Sequence, residues 1–253
     1  MEGRSLLAVF AHPDDESFAC GGLLALSAER GVRTSLLCLT RGEHGPGRER
    51  EGLAETRSAE LSAAAKILGI HEVRLLDHED GMLPWIDPDR VEADVRDAIR
   101  DFAADAVVTF DADGLYWHPD HIAVHERVTA AVDALGDDAP ELWYVTVPPG
   151  AMRAVVHDAA PGGLNTILGI DADTFGADAP EPTMVVSAGA LASRKLDALR
   201  CHRTQVEGGP FDRIAAADAE RLVGTEHYRR APVRTGRPSF VARLGSAVAA
   251  SRS

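Results

Sequence analysis

Residues 6–16 read Leu6-Leu7-Ala8-Val9-Phe10-Ala11-His12-Pro13-Asp14-Asp15-Glu16. Leu6–Phe10 is apolar without alternation, which suits a central parallel strand covered on both faces. It breaks off into an imidazole and three carboxylates. Working outward, the stretch from Gly21-Gly22 to Gly31 has helical spacing and a glycine stop. Thr34 to Leu39 then reads as a second strand. Strand, loop, helix, strand is the opening of a doubly wound sheet, and such sheets bind ligands at the carboxyl ends of their strands. The polar cluster at residues 12–16 stands at such a place.

The pattern continues downstream. Residues 41–51 are polar and punctuated by glycine and proline, hence a loop. Glu51 to Leu68 reads as a helix, Val73 to Leu76 as a strand, Asp77 to Gly81 as a loop and Pro88 to Phe102 as a helix. Ala106 to Phe110 is a strand, and the loop Asp111 to Trp117 leads into a helix from about Pro119 to Leu135. Leu142 to Val147 is another strand. After Pro148-Pro149-Gly150 the alternation lapses, and residues 150–184 read as a cap or insertion. Met184 to Val186 is a short strand, Ala188 to Cys201 a helix, and residues from about 233 to 253 a polar tail with little to anchor it. The expectation is a single α/β domain over residues 1–253. Its fold class is Rossmann-like: three layers, a mostly parallel central sheet and an irregular C-terminal extension.

Composition narrows the partners. The chain has 253 residues, 45% of them hydrophobic, and a formal net charge of −14. One domain with a substantial core fits that length. An acidic chain repels phosphate backbones, which argues against nucleic acid. Cys20, Cys38 and Cys201 lie far apart and form no CxxC pair, so a reducing compartment is the simpler reading. No apolar stretch has the length of a signal segment or a membrane span. The expectation is a cytoplasmic protein that acts on a small molecule without membrane contact; a homo-oligomer is compatible with the sequence.

A second polar motif, His118-Pro119-Asp120-His121, follows the strand at 106–110 and opens a helix. Asp14 or Asp15 could simply cap the helix after the first motif, but capping needs one carboxylate and leaves the other, and His12, unexplained. Two loops from different strand ends can converge above a sheet. Two ligands from one loop and one from the other leave an open coordination position, as in a catalytic zinc site. His125 has the helical spacing to pair with His121, but a surface or supporting role is favoured.

AHPDDE followed by HPDH resembles the LmbE-like, or PIG-L, family of zinc-dependent N-acetylglucosaminyl deacetylases. Thr40-Arg41-Gly42-Glu43-His44-Gly45 resembles its TxGExG loop, and Arg57-Ser58-Ala59-Glu60 with Leu68-Gly69 resembles its RxxE…LG helix. Asp80-Gly81 resembles its DG loop. Lys195 to Gln205 resembles its late helix ending in H-x-(S/T)-Q. The likeness runs over roughly residues 5 to 210. It implies zinc held by His12, Asp15 and His121, although iron(II) suits the same donors. It further implies Asp14 as general base, and His118 stabilising or protonating a tetrahedral intermediate, oriented by Asp120. Tyr116 would lie near the reacting carbonyl, and Arg57, Asp80 and Glu43 would contact substrate. The implied reaction removes an N-acetyl or N-acyl group from a glucosamine-type conjugate. An amidase of thiol S-conjugates and a non-catalytic sugar- or metal-binding module are the alternatives. Trp117 stands where the family has a small residue.

Other features weigh less. Gly21-Gly22 lacks the GxGxxG pattern of a nucleotide loop. Glu16 divides evenly between a first-turn helix residue and a functional one. His202 and His78 read as packing or capping residues. Trp85 and Trp117 either stack on a sugar face or close a satellite core.

Overall fold

Leu6 to Ala11 is buried to the last atom or nearly so, and the strand it forms lies inside an eight-stranded sheet. The structure is a computed structural model that describes residues 1–159, 165–233, 235 and 239–247. The elements of the first part are β1 (Ser5–Phe10), α1 (Asp15–Glu29), β2 (Arg33–Thr40), α2 (Leu53–Leu68), β3 (Glu72–His78), α3 (Pro88–Asp101), β4 (Ala106–Phe110), the distorted turn α4 (Gly114–Trp117), α5 (Pro119–Asp133) and β5 (Glu141–Thr146). Then come α6 (Ala151–Ala159), β6 (Thr166–Ile167), β7 (Ile170–Asp171), β8 (Met184–Ser187), α7 (Ala192–Cys201), the short α8 (Arg203–Val206), α9 (Pro210–Arg213) and α10 (Ala219–Val223), β9 (Thr225–Arg230) and β10 (Ser246–Ala247).

The sheet order is β10-β8-β9-β5-β4-β1-β2-β3. The run from β5 to β3 is parallel, and β9, β8 and β10 extend it in antiparallel fashion. Helices α1, α2 and α7 pack together on one side, while α3 and α5 pack together. This is the three-layer arrangement expected for strands that are buried on both faces.

Four findings depart from the sequence-based expectation. First, α1 begins at Asp15, not Gly21, and breaks at Cys20 (φ −143°, ψ 22°). The break frees the N–H groups of Gly22 and Leu23, which donate to the Glu226 carboxylate of β9 at 2.7 and 2.8 Å. Lys195 Nζ (2.6 Å) and the Tyr228 hydroxyl (2.6 Å) complete the shell of that buried carboxylate. A Cβ on Gly22 would stand only 3.0 Å from Glu226, so the glycine pair serves close approach, not phosphate binding. Second, β9 was not anticipated, because its inward positions are Glu226 and Tyr228 instead of two aliphatic residues.

Third, residues 150–184 are partly regular. They form α6 and a β6–β7 hairpin whose turn, Leu168-Gly169, has positive φ at both positions (54° and 79°), the two-residue turn suited to strand twist. Residues 160–164 lie outside the described residues. Fourth, the described part of the expected loose tail is anchored. Phe240 and Val241 are buried, their N–H groups donate to Glu141 Oε1 at 2.9 and 3.2 Å, and β10 pairs with β8. Residues 234, 236–238 and 248–253 of that stretch lie outside the described residues.

Candidate active site

In the parallel run β3-β2-β1-β4-β5, the chain winds outward in both directions from the β1–β4 junction. The two strands pair in register, Leu6 with Ala106 and Ala8 with Val108. Their carboxyl ends therefore emerge side by side, at the topological switch point where such sheets bind ligands. His12-Pro13-Asp14-Asp15 leaves β1 there, and the loop to His121 leaves β4.

His12, Asp15 and His121 meet at this point, all buried. His12 Nδ1 stands 3.2 Å from His121 Nε2 and 3.5 Å from Asp15 Oδ2, and His121 Nε2 stands 3.3 Å from Asp15 Oδ1. The far nitrogens are engaged elsewhere. His121 Nδ1 donates to the Gly114 carbonyl at 3.1 Å, and His12 Nε2 lies 3.0 Å from Asp80 Oδ1 and 3.2 Å from Asp120 Oδ2. Those partners keep the outer nitrogens protonated and turn the inner lone pairs toward one another, as outer-shell carboxylates and carbonyls do around metal-binding histidines. These contacts of 3.2–3.5 Å, two of them to different oxygens of Asp15, are close to the edge of a tetrahedron with metal–ligand bonds of roughly 2.1 Å. The donor set thus fits a divalent cation. Burial works against charge on His12, but Asp120, Asp15 and Asp80 outweigh it and raise its pKa well above the usual imidazole value. The field that favours a proton there equally favours a metal. Burial likewise acts against charge on Asp15, yet His121 and His12 hold its carboxyl well below the ordinary range.

Asp14 occupies the N-cap position of α1 but makes no side-chain cap bond. The simple capping role is thereby excluded for it, and Asp15 Oδ2 accepts from the His12 N–H at 2.8 Å, before the helix. The Asp14 backbone has φ 129° and ψ −28°, a region that side-chain-bearing residues avoid. Arg57 lies beneath it, with Nη2 donating to the Pro13 carbonyl at 2.6 Å and Nη1 to the Gly42 carbonyl at 2.8 Å. The same Nη2 is 3.4 Å from Asp14 Oδ2. A Cβ on Gly42, whose φ is +67°, would overlap the guanidinium, which explains the glycine in that loop. Burial pushes the Asp14 carboxyl up, Arg57 pulls it back, and the balance is about 6.

His118 caps α5, its Nδ1 accepting the Asp120 N–H at 3.2 Å. It is this backbone group, not the Asp120 carboxylate, that orients the ring. The carboxylate of Asp120 instead accepts from Gly81 N (2.8 Å) and Leu83 N (3.1 Å) and faces His12. With Nδ1 accepting, the ring proton of His118 resides on Nε2. Burial, then the neighbouring His121 and His12, depress its pKa to about 4, so the ring is neutral near pH 7. The Tyr116 ring packs edge-on to His118 and His121 and against Phe175; burial pushes its phenol up, keeping it protonated. Its neighbours Leu115 and Trp117 have φ of 66° and 63°, a strained pair of the kind found at functional sites. Gly176 receives this loop, donating to the Leu115 carbonyl at 2.9 Å. A Cβ there would overlap the Val147 carbonyl.

A cavity of about 180 Å³ opens over these groups, lined by His12, Asp14, Asp15, Arg57, Asp80, Tyr116 and His118. Its apolar wall comes from Phe18, Leu168, Ile170, Phe175, Leu199 and Phe211, and Gln205 lines it too. Asp80 Oδ2 accepts the His44 N–H at 2.9 Å, and burial is outweighed chiefly by His12, so that its carboxyl falls to about 2. Glu43 is not among the cavity-lining residues; its Oε1 accepts the Asp80 N–H at 3.0 Å. His125 donates to the Phe110 carbonyl at 3.0 Å and stands apart from the cluster. Sequence reasoning missed the aromatic wall, because Phe18, Phe175 and Phe211 converge from three distant segments. It also undervalued Glu16 and His202, which are bonded to each other at 2.8 Å.

Comparison with known proteins agrees with this geometry. Residues 7–132 match the PIG-L family, described as GlcNAc-PI de-N-acetylase. A 1D-myo-inositol 2-acetamido-2-deoxy-alpha-D-glucopyranoside deacetylase of Acidothermus cellulolyticus is 34% identical over 89% of this chain and 88% of its own. The protein of the same name from Kineococcus radiotolerans is 31% identical, over 89% of this chain and 77% of its own. Among solved structures, the N,N'-diacetylchitobiose deacetylase of Pyrococcus horikoshii superposes with a TM-score of 0.67 at 21% identity, covering 90% of this chain and 84% of that one. GalB, a 4-carboxy-2-hydroxymuconate hydratase of Pseudomonas putida, has a TM-score of 0.64 at 19% identity, covering 93% and 99%, so the fold alone does not choose the reaction. Sequence similarity sustained over nearly the whole of both chains does choose the lineage: the chain belongs to the PIG-L (LmbE-like) family.

Proposed function

We propose that this protein is a metal-dependent hydrolase that removes the N-acetyl group from a glucosaminyl conjugate. The substrate class is that named for its relatives, a 2-acetamido-2-deoxy-α-D-glucopyranoside of myo-inositol. The observation that carries the reading is the meeting of His12, Asp15 and His121 beside an Asp14 whose carboxylate makes no capping bond and lines the cavity. Zinc is the proposed ion, held by those three side chains. When bound, such an ion polarises a carbonyl and lowers the pKa of water from 15.7 to about 7.

The chain's own residues supply the rest. Asp14, at about 6, is ionised at neutral pH yet close enough to it to hold a proton, as a general base requires. It takes a proton from the attacking water as the new C–O bond forms. The proton then passes to the amide nitrogen as the C–N bond breaks, leaving acetate and a free amine. His118 offers its Nε2–H, and Tyr116 its hydroxyl, to the oxygen that gains charge; losing one such donor typically lowers kcat roughly 10²–10³-fold. Arg57 holds Asp14 from below, and Asp80 and Asp120 orient His12. The aromatic and aliphatic wall suits an apolar substituent, which keeps an amidase of S-conjugates as a second substrate class.

The test is metal analysis of the purified protein together with a fluorescamine assay for amine released from N-acetylglucosaminyl-inositol, simpler N-acetylglucosaminides and S-conjugate amides. One zinc per chain and amine from the inositol conjugate are expected. Stoichiometric zinc with no amine from any of them would replace the enzyme by a binding module.

A further inference from the structure

Two adjacent aspartates with different duties need a device that sends them apart. The peptide unit between Pro13 and Asp14 is gripped at both polar atoms. Its carbonyl accepts from Arg57 Nη2 at 2.6 Å, and its N–H donates to Glu16 Oε2 at 3.1 Å. The other oxygen of Glu16 accepts from Ser17 Oγ at 2.5 Å and His202 Nε2 at 2.8 Å. His202 is fully buried at the end of α7, and Glu16 is almost so. This grip coincides with φ 129° at Asp14, a conformation an aspartate does not adopt without support. In it the Asp14 carbonyl already accepts from Ser17 and Phe18 N–H, starting the helix, while its carboxylate points to Arg57 instead of capping. Asp15, one residue on, turns to His12 and His121.

We propose that Glu16, fixed by His202 and Ser17, is a positioning residue that holds the turned Pro13–Asp14 peptide and so assigns Asp14 to the cavity and Asp15 to the metal. The proposal rests on the deacetylase reading for its kinetic consequence, but its structural content is independent of substrate. A helix N-terminus alone would be satisfied by any N-cap side chain. Here the first-turn Glu16 takes the N–H of the N-cap residue itself, and the Asp14 carboxylate is turned away from the helix toward Arg57 and the cavity. A histidine from α7, far along the chain, secures the cap.

The experiment compares wild type, Glu16→Ala, Glu16→Gln and His202→Gln as folded, zinc-loaded proteins. It reads zinc content, kcat and KM separately, and hydrogen exchange at the Asp14 amide. Glu16→Ala is expected to keep one zinc per chain and a KM within about twofold, to lose roughly 10² in kcat as small misplacements of catalytic groups do, and to exchange the Asp14 amide at least roughly tenfold faster. Glu16→Gln retains an acceptor oxygen and recovers most of both. His202→Gln lies between, and carries the measurement if Glu16→Ala does not fold. Lowered thermal stability with unchanged kcat and unchanged Asp14 exchange would reduce Glu16 to a structural residue and overturn the proposal. Should the wild type release no amine from any substrate, the function is wrong, and the exchange data alone decide the positioning role.

Discussion

Nδ1 of His12 and Nε2 of His121 stand 3.2 Å apart, although the two residues are 109 positions apart in the chain. With both outer nitrogens protonated, the two inner lone pairs face each other unless a proton or a metal cation lies between them, and the Asp15 carboxylate beside them favours either positive charge. We expect one divalent ion per chain. His121→Ala removes it, and a chelator lowers the melting temperature. A ligand at about 100 times its Kd stabilises the native state by about 2.7 kcal/mol. Calorimetry with and without chelator measures this; an unchanged transition in both proteins would count against the site.

Asp14→Asn preserves size and takes away the base. Since Asp14 is outside the donor cluster, zinc content is expected to hold while kcat falls roughly 10²–10⁴-fold. Loss of the metal instead would show Asp14 to be a ligand.

Arg57→Lys tests the guanidinium fork. A lysine carries a compact ammonium and cannot span the Gly42 and Pro13 carbonyls as two parallel donors do. With Asp14 less constrained, kcat is expected to drop about 10²-fold, with KM for the inositol conjugate little changed. A rise in KM at constant kcat would instead assign Arg57 to direct substrate contact.

Trp117 is 51% exposed and has φ 63°. Glycine adopts that backbone without strain, so Trp117→Gly trades relief of roughly 1 kcal/mol against the greater freedom of the unfolded chain. Urea denaturation should place the variant within about 1 kcal/mol of wild type. A larger loss would mean that the indole packs against a neighbour.

His202 gives a pH signature. Burial opposes its charge, but Glu16 outweighs burial, and the folded-state pKa lies above the ordinary imidazole value of 6.5. Below that value both folded and unfolded chains hold the proton, and the stabilisation is complete. As pH rises from there through the folded pKa, the unfolded state releases the proton first, so stability falls. The melting temperature of metal-free protein is expected to decline over this window, and less steeply in His202→Gln. Identical slopes would remove His202 from the pH dependence.

Much of this was legible in the sequence, for identifiable reasons. The unbroken apolar run Leu6–Phe10 requires a strand covered on both faces, and such strands repeat with helices between them. Polar motifs after two of them had to fall at the carboxyl edge of the sheet. Gly31 and Gly69 end helices with positive φ, as glycines after apolar-periodic segments do. Strand β9 escaped notice because its inward face carries Glu226, whose burial is sensible only once Lys195 and two helical N–H groups are seen around it. The anchored tail escaped because Phe240 and Val241 are capped by Glu141, about a hundred residues earlier.

The sequence by itself determined the layered fold, the two strand-end motifs and a set of side chains able to hold a metal, because hydrophobic periodicity and ligand type are local properties; the hydrolytic reaction came from the family resemblance. From the chain alone, the division of labour between the two aspartates was implied only by the family resemblance; tertiary structure decided that Asp15 joins His12 and His121 while the Asp14 carboxylate turns to Arg57. That division depends on a turned peptide, clamped by Arg57 on one side and by Glu16 with His202 on the other, and hydrogen bonds between distant segments leave no periodic mark in a chain.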